Sequence, residues 1–286
     1  MTSSTADLTE AVGADIAVVG AAGKTGRALV AALAGRTQPR QLVRSVRRPG
    51  QYRIDLDTGE GMAAGFAGCR SVYFIAPNMH PDEPSLLGRA LAAASEAGVD
   101  HVVYHSVAWP YSPRMPHHLD KARCEDELRS FASQRGLRWT ILQPCAYAQN
   151  FESVLTGESE HIVTPYRIES RFSFISLDDV AEVAARVLTE GADVHHGAAY
   201  ELGGPDALSV RDLVRLIEES TSRSVSVERI GVDAWMARYG QNLGIPGRAR
   251  LAAMFEFYNE RDFLSGSKVT EALLGREPTR VRHLIR

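Results

Sequence analysis

The chain has 286 residues, of which 44% are hydrophobic and 23% charged, and its formal net charge is -3. This composition is ordinary for a globular protein, and the charge gives no electrostatic reason to expect nucleic acid or an anionic membrane surface as a partner. No apolar run approaches the roughly 18 to 20 residues of a membrane span. The three cysteines, Cys69, Cys124 and Cys145, are too widely spaced to indicate a disulfide framework or a metal site.

The first residues of the chain are small and polar and include two acids, Asp7 and Glu10. They lack the basic start and the apolar core of a signal peptide. We therefore interpret residues 1–13 as a flexible tail and expect a cytoplasmic protein.

Apolar and helical stretches then alternate, which is the pattern of repeated βαβ units. Most of the strand candidates are short, rich in Val and Ile, and apolar on both faces, as buried parallel strands are. The candidates are Asp15–Gly20, Gln41–Val46, Arg53–Leu56, Ser71–Ala76, His101–Ser106 and Arg138–Gln143. Helices are predicted between them at Thr25–Ala34, Ser85–Ala97 and His118–Gln134. The sequence thus predicts an α/β fold with a Rossmann-type, doubly wound parallel sheet over residues 14–150.

The pattern changes after Pro144. Capping motifs at Ser176-Leu-Asp-Asp179 and Ser209-Val-Arg-Asp212 predict the starts of two helices. Strand-like pieces are interleaved with them at Arg171–Ile175, Ala199–Gly203 and Ser224–Ile230, and short helices are expected from Asp233 onward. Residues 151–286 are therefore predicted to form mainly a smaller C-terminal α/β substrate domain or lid, with residues 171–190 returning to the Rossmann sheet.

The strongest local signal is a glycine loop between the first strand and the first helix. Gly20 permits a tight turn, Gly23 lets the backbone approach a pyrophosphate, and Gly26 lets helix and strand pack closely. The phosphate-binding residues expected from this loop are Gly20, Ala22, Gly23, Lys24, Thr25 and Gly26. The alternative is a purely structural βα turn. A triphosphatase P-loop is excluded because its upstream glycine is misplaced.

Residues around the second predicted strand indicate which nicotinamide cofactor, NAD(H) or NADP(H), the chain binds. An NAD site needs an acid about 20 residues after the loop, whereas an NADP site needs an arginine for the 2′-phosphate. No acid lies between Arg36 and Arg53, which favours NADP(H) and leaves NAD(H) possible. Arg47 is the first candidate for the phosphate, with Arg44 and Arg48 behind it; the alternative is a solvated basic turn.

Several further motifs follow in an order typical of one family. They are Leu42-Val-Arg-Ser-Val-Arg-Arg, Asp55-Leu-Asp57, Gly68-Cys-Arg-Ser-Val-Tyr-Phe, His101-Val-Val-Tyr-His-Ser106, Gly136-Leu-Arg-Trp-Thr-Ile-Leu-Gln-Pro144, Phe174-Ile-Ser-Leu-Asp-Asp-Val-Ala181 and Ala199-Tyr-Glu-Leu-Gly-Gly-Pro205. With the glycine loop, they make Asp15 to Val232 resemble the NmrA-like branch of the atypical short-chain dehydrogenase/reductases. The resemblance implies a cleft between a Rossmann domain and a small substrate domain. It also implies dinucleotide contacts from Asp55, Leu56, Ile75, Ala76, Pro77, Pro144 and Tyr147.

The wider superfamily uses a Tyr-x-x-x-Lys pair and a serine, in which the ammonium lowers the pKa of the tyrosine. Here Ser106 matches the serine and Lys121 the lysine, but His117 occupies the tyrosine position. Lys121 is expected to bond the nicotinamide ribose, with a solvated helix lysine as the alternative. His117 is either a proton donor or a polar residue at a helix start, and Tyr111 and Tyr147 are alternative donors.

The substrate side is expected to include Trp109, Tyr111, Tyr147, Asn150, Phe151 and Phe172. The preferred function is an NAD(P)H-dependent oxidoreductase that acts on a carbonyl, quinone or conjugated double bond of a small apolar or aromatic molecule. The alternatives are a dinucleotide sensor without catalysis and an isomerase or lyase that uses the cofactor as an internal redox agent. The expected partner is a small-molecule substrate, and the chain is expected to be a monomer or homodimer.

Overall fold

The computed structural model describes residues 15–286, so the predicted tail over residues 1–13 lies outside the described residues. Eleven strands are found in the described part of the chain. They are β1 (Ile16–Val19), β2 (Arg40–Val43), β3 (Gln51–Arg53), β4 (Ser71–Phe74), β5 (His101–His105), β6 (Arg138–Pro144), β7 (His161–Thr164), β8 (Phe172–Phe174), β9 (Ala198–Leu202), β10 (Asp206–Leu208) and β11 (Ser226–Arg229).

Helices connect these strands. They are α1 (Lys24–Leu33), α2 (Met62–Phe66), α3 (Glu83–Glu96), α4 (Pro116–Arg135), α5 (Glu152–Leu155), α6 (Leu177–Glu190), α7 (Ala192–His195), α8 (Val210–Thr221), α9 (Val232–Tyr239), α10 (Ile245–Glu260) and α11 (Lys268–Leu274), with 3-10 turns at Ala148–Phe151 and Val281–Leu284. Among residues 15–286, none of the helices has both the length and the apolar composition that a membrane crossing requires.

A seven-stranded parallel sheet forms the centre of the molecule, in the order β3-β2-β1-β4-β5-β6-β9. Strands near all six positions predicted in the first half of the chain belong to it, and the Rossmann prediction is confirmed. The third strand is shifted: β3 ends at Arg53, where the predicted strand Arg53–Leu56 begins. The strand order reverses between β1 and β4. In open parallel sheets, this switch point leaves a crevice at the carboxyl ends of the strands, where ligands bind.

Helices cover both faces of the sheet because its central strands β1, β4 and β5 are buried on both sides. Ala17 and Val72 pack on the side of α2, α3 and α4, whereas Val18 and Val103 pack on the side of α1 and α6. This burial supplies the apolar free energy that holds the helices on the sheet.

Residues 171–190 were predicted to return to the Rossmann sheet, but they add no strand to it. Strand β8 pairs antiparallel with β10, outside the central sheet. The helix-period segment after Ser176 forms α6, which covers the sheet beside α1. It is the following strand, β9, that extends the sheet by pairing with β6. This is the ordinary geometry of a βαβ crossover, in which the helix packs on the face and the next strand joins the edge.

The C-terminal part adds a second core that is rich in aromatic side chains and is called the aromatic core below. Phe172, Phe255 and Tyr258 pack there, and Val232 and Met236 of α9 close it. A two-stranded parallel pair, β7 with β11, flanks this core, and β7 was not predicted from the sequence. The capping box predicted at Ser209 is present at the start of α8.

Candidate active site

A cavity of about 890 Å³ lies at the carboxyl ends of the sheet strands. One part of its wall consists of the glycine loop and the segments that follow β2 to β6. Helices α3 and α4 contribute Glu83, His117 and Lys121, and the opposite part of the wall comes mainly from β7, β8, α9 and α10. The cavity therefore lies between the Rossmann sheet and the aromatic core, and its size suits an organic ligand.

Close backbone packing explains the glycines of the loop. Gly20 has φ of +77°, and a Cβ placed there would lie 3.0 Å from the carbonyl oxygen of Ile75. A Cβ on Gly26 would lie 2.2 Å from the carbonyl oxygen of Gly20. Helix α1 begins at Lys24 without a side-chain cap, so its first amide groups remain available to an anion.

Nearly all the residues predicted to bind the dinucleotide line this cavity. Those that do are Gly20, Ala22, Gly23, Lys24, Thr25, Gly26, Arg44, Asp55, Leu56, Ile75, Ala76, Pro77, Ser106, Lys121, Pro144 and Tyr147. Arg47 does not line the cavity. The loops that carry these residues are far apart in sequence, and the parallel sheet brings them to one edge.

The position of Arg47 differs from the prediction because the turn after β2 leads away from the cavity. The backbone amide of Arg47 donates to Oε1 of Gln51 at 2.8 Å, which fixes that turn. Arg44 instead follows Val43, the last residue of β2, and lies at the cavity wall. A backbone hydrogen bond from Thr58 lowers the pKa of Asp55, and the positive charge of Arg44 lowers it further. Arg44 and Asp55 therefore belong to the same end of the cavity.

Lys121 is held by a carboxylate that sequence reasoning missed. Its Nζ lies 2.7 Å from Oε1 of Glu83 and 3.0 Å from the carbonyl oxygen of His105. The Tyr104 hydroxyl donates to the same Glu83 oxygen at 2.7 Å. Lys121 and Glu83 are both buried, with side chains 9% and 4% exposed. Two of the three ammonium protons are thus used, and the third remains for a ligand in the cavity.

Ser106 has a different buried partner. Its hydroxyl donates to Oε1 of Glu125 at 2.6 Å, and the Gln143 amide donates to the same oxygen at 2.7 Å. Ser106 and Lys121 therefore both line the cavity but belong to separate hydrogen-bond networks. Glu125 lies one helical turn after Lys121, which was the only sequence signal for it.

The structure argues against His117 as an acid at neutral pH. His117 lines the cavity, but burial lowers its pKa to about 3, and His118 and Lys121 lower it further. A neutral imidazole holds no readily released proton, so the expectation drawn from its ordinary pKa is corrected. Sequence could not reveal this because the burial of His117 depends on tertiary packing.

Tyr147 lines the cavity but is engaged by a buried histidine. Its hydroxyl lies 2.9 Å from Nε2 of His105, whose Nδ1 lies 2.7 Å from the Tyr73 hydroxyl. Burial lowers the pKa of His105 to about 3, so its imidazole is neutral. The three side chains form a polar network beneath the cavity.

Two predicted substrate residues lie elsewhere. Trp109, in a left-handed conformation with φ of +55°, packs edge-on against Phe257 and Phe263 instead of lining the cavity. Tyr111 is 65% exposed and lies off the cavity. Tyr147, Asn150, Phe151 and Phe172 do line it. The substrate end of the cavity also contains aromatic residues that the sequence analysis did not predict there, namely Tyr166, Phe174, Trp235, Phe255 and Tyr258.

Three buried histidines predict that the fold loses stability in acid. Burial lowers the pKa of His101 to about 4, of His105 to about 3 and of His118 to about 4. Below about pH 6.5 the unfolded chain binds protons that the folded chain does not. The free energy of unfolding should thus fall from pH 6.5 to 4, by roughly 1.4 kcal/mol per pH unit for each histidine.

Urea denaturation at about pH 7 and pH 5 checks this acid dependence. We expect a lower urea midpoint at pH 5 than at pH 7. In the His101→Asn variant the difference between the two midpoints should be smaller, because one of the three buried histidines no longer contributes to it. Equal midpoints at both pH values in the parent protein would contradict the burial of these neutral imidazoles.

Comparison with known proteins assigns the chain to a family. The profile of the NmrA-like family matches residues 13–281. A reductase of Streptomyces griseus, (4-alkanoyl-5-oxo-2,5-dihydrofuran-3-yl)methyl phosphate reductase, is 29% identical over 236 residues, which are 78% of this chain and 81% of that protein. Quinone oxidoreductase 2 of Escherichia coli is 23% identical over 243 residues, covering 81% and 82% of the two chains.

Solved structures show the same fold. Triphenylmethane reductase of Citrobacter sp., complexed with NADP(H), superimposes with a TM-score of 0.79 at 21% identity and covers 95% of this chain and 98% of its own. NADPH-dependent quinone oxidoreductase of E. coli, complexed with NADPH, gives 0.76 at 19% identity, with 94% and 97% covered. The family profile spans nearly the whole sequence, so the predicted resemblance is confirmed: the chain belongs to the NmrA-like family.

Proposed function

We propose that the protein is an NADPH-dependent reductase that transfers hydride to a carbonyl, quinone or conjugated double bond of a small apolar or aromatic molecule. The observation that carries the proposal is one continuous cavity with a phosphate loop at one end, a buried lysine between and aromatic side chains at the other. In this proposal residues 14–150 bind the dinucleotide, and residues 151–286 mainly supply the substrate side.

The proposed dinucleotide lies across the switch point of the sheet. Its pyrophosphate accepts hydrogen bonds from the amide groups at the start of α1, next to Gly23. Arg44 is the cation at the end where the 2′-phosphate is expected, so it replaces Arg47 in this role. NADP(H) is therefore preferred, as in the NADP(H)-complexed relatives, and NAD(H) remains a weaker ligand.

Lys121 is the central residue of the proposed chemistry. The cofactor, when bound, supplies the hydride. Lys121 uses its free proton to hold the nicotinamide ribose, while Glu83 fixes the ammonium in place. Ser106 lines the same region, with its hydroxyl proton held by Glu125. Positioning the nicotinamide in this way contributes to rate through orientation.

The substrate end favours an uncharged molecule. Among the described residues, the lysines and arginines that line the cavity are Lys24, Arg44 and Lys121, and all three belong to the proposed dinucleotide half. The aromatic end therefore offers no cation to a phosphate or carboxylate, and burying such an anion unpaired is costly. Of the relatives' substrates, a quinone fits this surface better than a phosphate ester.

Calorimetric titration with NADPH and with NADH, followed by NADPH oxidation with a panel of quinones and ketones, tests the proposed function. We expect tighter binding of NADPH and oxidation with at least one acceptor. Binding without turnover by any acceptor would favour a dinucleotide sensor, and binding of neither cofactor would remove the dinucleotide site.

A charge reversal at Arg44 tests the choice of cofactor. Arg44→Glu should weaken NADPH binding by about 10- to 100-fold, because a charge-assisted hydrogen bond of 1.5–3 kcal/mol is lost, and should leave NADH nearly unaffected. Arg47→Glu is the matched control, since Arg47 lies off the cavity. Calorimetry of both variants with both cofactors gives the comparison. A larger loss for Arg47→Glu would return the 2′-phosphate to Arg47.

A further inference from the structure

Helix α10 forms part of the substrate end of the cavity. The α10 residues that line the cavity are Leu251, Met254, Phe255 and Tyr258. They are three or four positions apart, so they share one side of the helix. The buried ion pair of Lys121 and Glu83 belongs instead to α4 and α3. The distance between a bound acceptor and the nicotinamide therefore depends on how α10 is held against these two helices.

One guanidinium group joins α10 to α4 and to the loop before α3. It belongs to Arg250, which directly precedes Leu251. Its Nη2 donates to Oδ2 of Asp120 at 3.0 Å and to the carbonyl oxygen of Pro81 at 2.8 Å, and its Nε donates to the same Asp120 oxygen at 3.2 Å. The other Asp120 oxygen accepts from Arg123 at 2.9 Å. The planar fork of an arginine suits such simultaneous bonding to two partners.

The two partners of Arg250 lie next to the two members of the buried ion pair. Asp120 directly precedes Lys121 in α4. Pro81 lies two residues before Glu83, the first residue of α3. The side chains of Asp120 and Arg250 are only 9% and 19% exposed, so their charge-assisted hydrogen bonds are shielded from water. A shift of α10 would therefore act on both segments that hold the ion pair.

The loop that contains Pro81 has an unfavourable backbone conformation at the cavity wall. Met79 lines the cavity, is 7% exposed and has φ of +57°. A residue with a side chain keeps this left-handed conformation only where its surroundings hold it. A Cβ placed on Gly247 of α10 would lie 3.6 Å from the Met79 carbonyl oxygen. Helix α10 thus packs against this loop at Gly247 and bonds it one turn later through Arg250.

We propose that Arg250 is a positioning residue, which sets the distance between the substrate wall on α10 and the buried ion pair. The inference rests on the proposed function. Arg250 does not line the cavity, so it acts through Asp120 and Pro81. With these hydrogen bonds in place, an acceptor that lies against α10 is held within hydride-transfer distance of the nicotinamide. A misplacement of about 1 Å at the reacting atoms lowers the rate by about 100-fold.

The Arg250→Met variant tests this role, and Arg276→Met is its matched control. Arg276 bonds Asp179 of α6 at 2.9 Å and lies off the cavity. Both substitutions take a guanidinium away from a buried carboxylate, since Asp120 is 9% exposed and Asp179 1%. Both variants should therefore have a lower melting temperature than wild type.

The two variants should differ in activity. We expect the kcat for a quinone such as menadione to fall by about 10- to 100-fold in Arg250→Met and to stay at the wild-type value in Arg276→Met. The Kd for NADPH in calorimetry should be unchanged in both, because the glycine loop and Arg44 are untouched. A fall in kcat of less than about threefold in Arg250→Met, or an equal fall in Arg276→Met, would overturn the assignment. A raised Kd for NADPH in Arg250→Met would also overturn it, by moving the role to the cofactor site.

The Arg250→Lys variant carries the test if Arg250→Met fails to fold. It keeps a positive charge beside Asp120, but an ammonium group lacks the planar fork that bonds Asp120 and Pro81 together. We expect a melting temperature near that of wild type and a kcat at least about threefold lower. An unchanged kcat in Arg250→Lys would contradict positioning by Arg250. Wild type inactive with every acceptor would instead refute the proposed function, and with it the inference that rests on it.

Discussion

Replacing Lys121 by Met is expected to destabilise the fold and abolish most of the activity. The substitution leaves the Glu83 carboxylate buried, 4% exposed, without its counter-charge 2.7 Å away. Removing one partner of a buried ion pair costs about 3–5 kcal/mol, so the free energy of unfolding should fall by that amount in urea denaturation. Because the nicotinamide ribose also loses its anchor, kcat should fall by at least about 100-fold.

A double variant separates the two effects. Lys121→Met combined with Glu83→Gln removes both charges, so stability should return to within about 1 kcal/mol of wild type while activity stays low. Lys268→Met is the matched control, because Lys268 pairs with Glu271 at the surface and is 86% exposed. It should change stability by less than about 1 kcal/mol and leave activity intact. Full activity in Lys121→Met would remove this lysine from the site.

Gly26→Ala is expected to cost most of the dinucleotide affinity. The new methyl group would lie 2.2 Å from the carbonyl oxygen of Gly20 and 2.7 Å from the Cα atom of Ala21, both backbone atoms that cannot move aside cheaply. Relieving the clash moves the glycine loop away from α1, and overpacking of this kind costs about 1–3 kcal/mol. The Kd for NADPH measured by calorimetry should therefore rise by about 10- to 100-fold.

Gly88 provides the control for this substitution. It lies within α3, and a Cβ placed there has no neighbour within 4 Å. Gly88→Ala should raise the free energy of unfolding by about 0.5–1 kcal/mol through helix propensity and leave NADPH binding unchanged. An unchanged Kd in Gly26→Ala would show that the loop does not form the phosphate site.

The central sheet was predictable because its signals are local. The Val- and Ile-rich strands, such as Ile16–Val19, bury both faces, and glycines such as Gly136 stop the helices between them. The phosphate loop was predictable for the same reason, since Gly26 packs against the backbone of Gly20 six positions away and Gly20 itself has a positive φ of +77°. These features depend on chain geometry that a single segment specifies.

The chemistry around the lysine was only half predictable. Lys121 follows from a motif, but Glu83 reaches it from another helix across 38 positions, and no local pattern marks that pairing. Similarly, the low pKa of His117 results from burial by distant residues. Charge partners and burial are tertiary properties, so the sequence predicted the residue types but not their electrostatic state.

The substrate wall was the least predictable part. Tyr166 lies just after β7 and Tyr258 lies in α10, and at both places an aromatic residue fits a core as well as a pocket. Trp109 was expected in the cavity, but its left-handed backbone turns the ring toward Phe257 and Phe263. The direction of each aromatic side chain is set by packing of the C-terminal elements, which sequence spacing does not determine.

The position of β9 at the edge of the central sheet has a consequence for how the protein folds during synthesis. Strand β6 ends at Pro144, but its outer neighbour β9 begins only at Ala198. Between them the chain forms β7, β8 and the helices α5 to α7. During synthesis the outer edge of β6 therefore remains unpaired until more than fifty further residues have left the ribosome. The segment with β7 and β8, which supplies part of the cavity wall, is synthesised before β9 can pair with β6. The nascent N-terminal half therefore exposes an unpaired strand edge that is prone to intermolecular pairing.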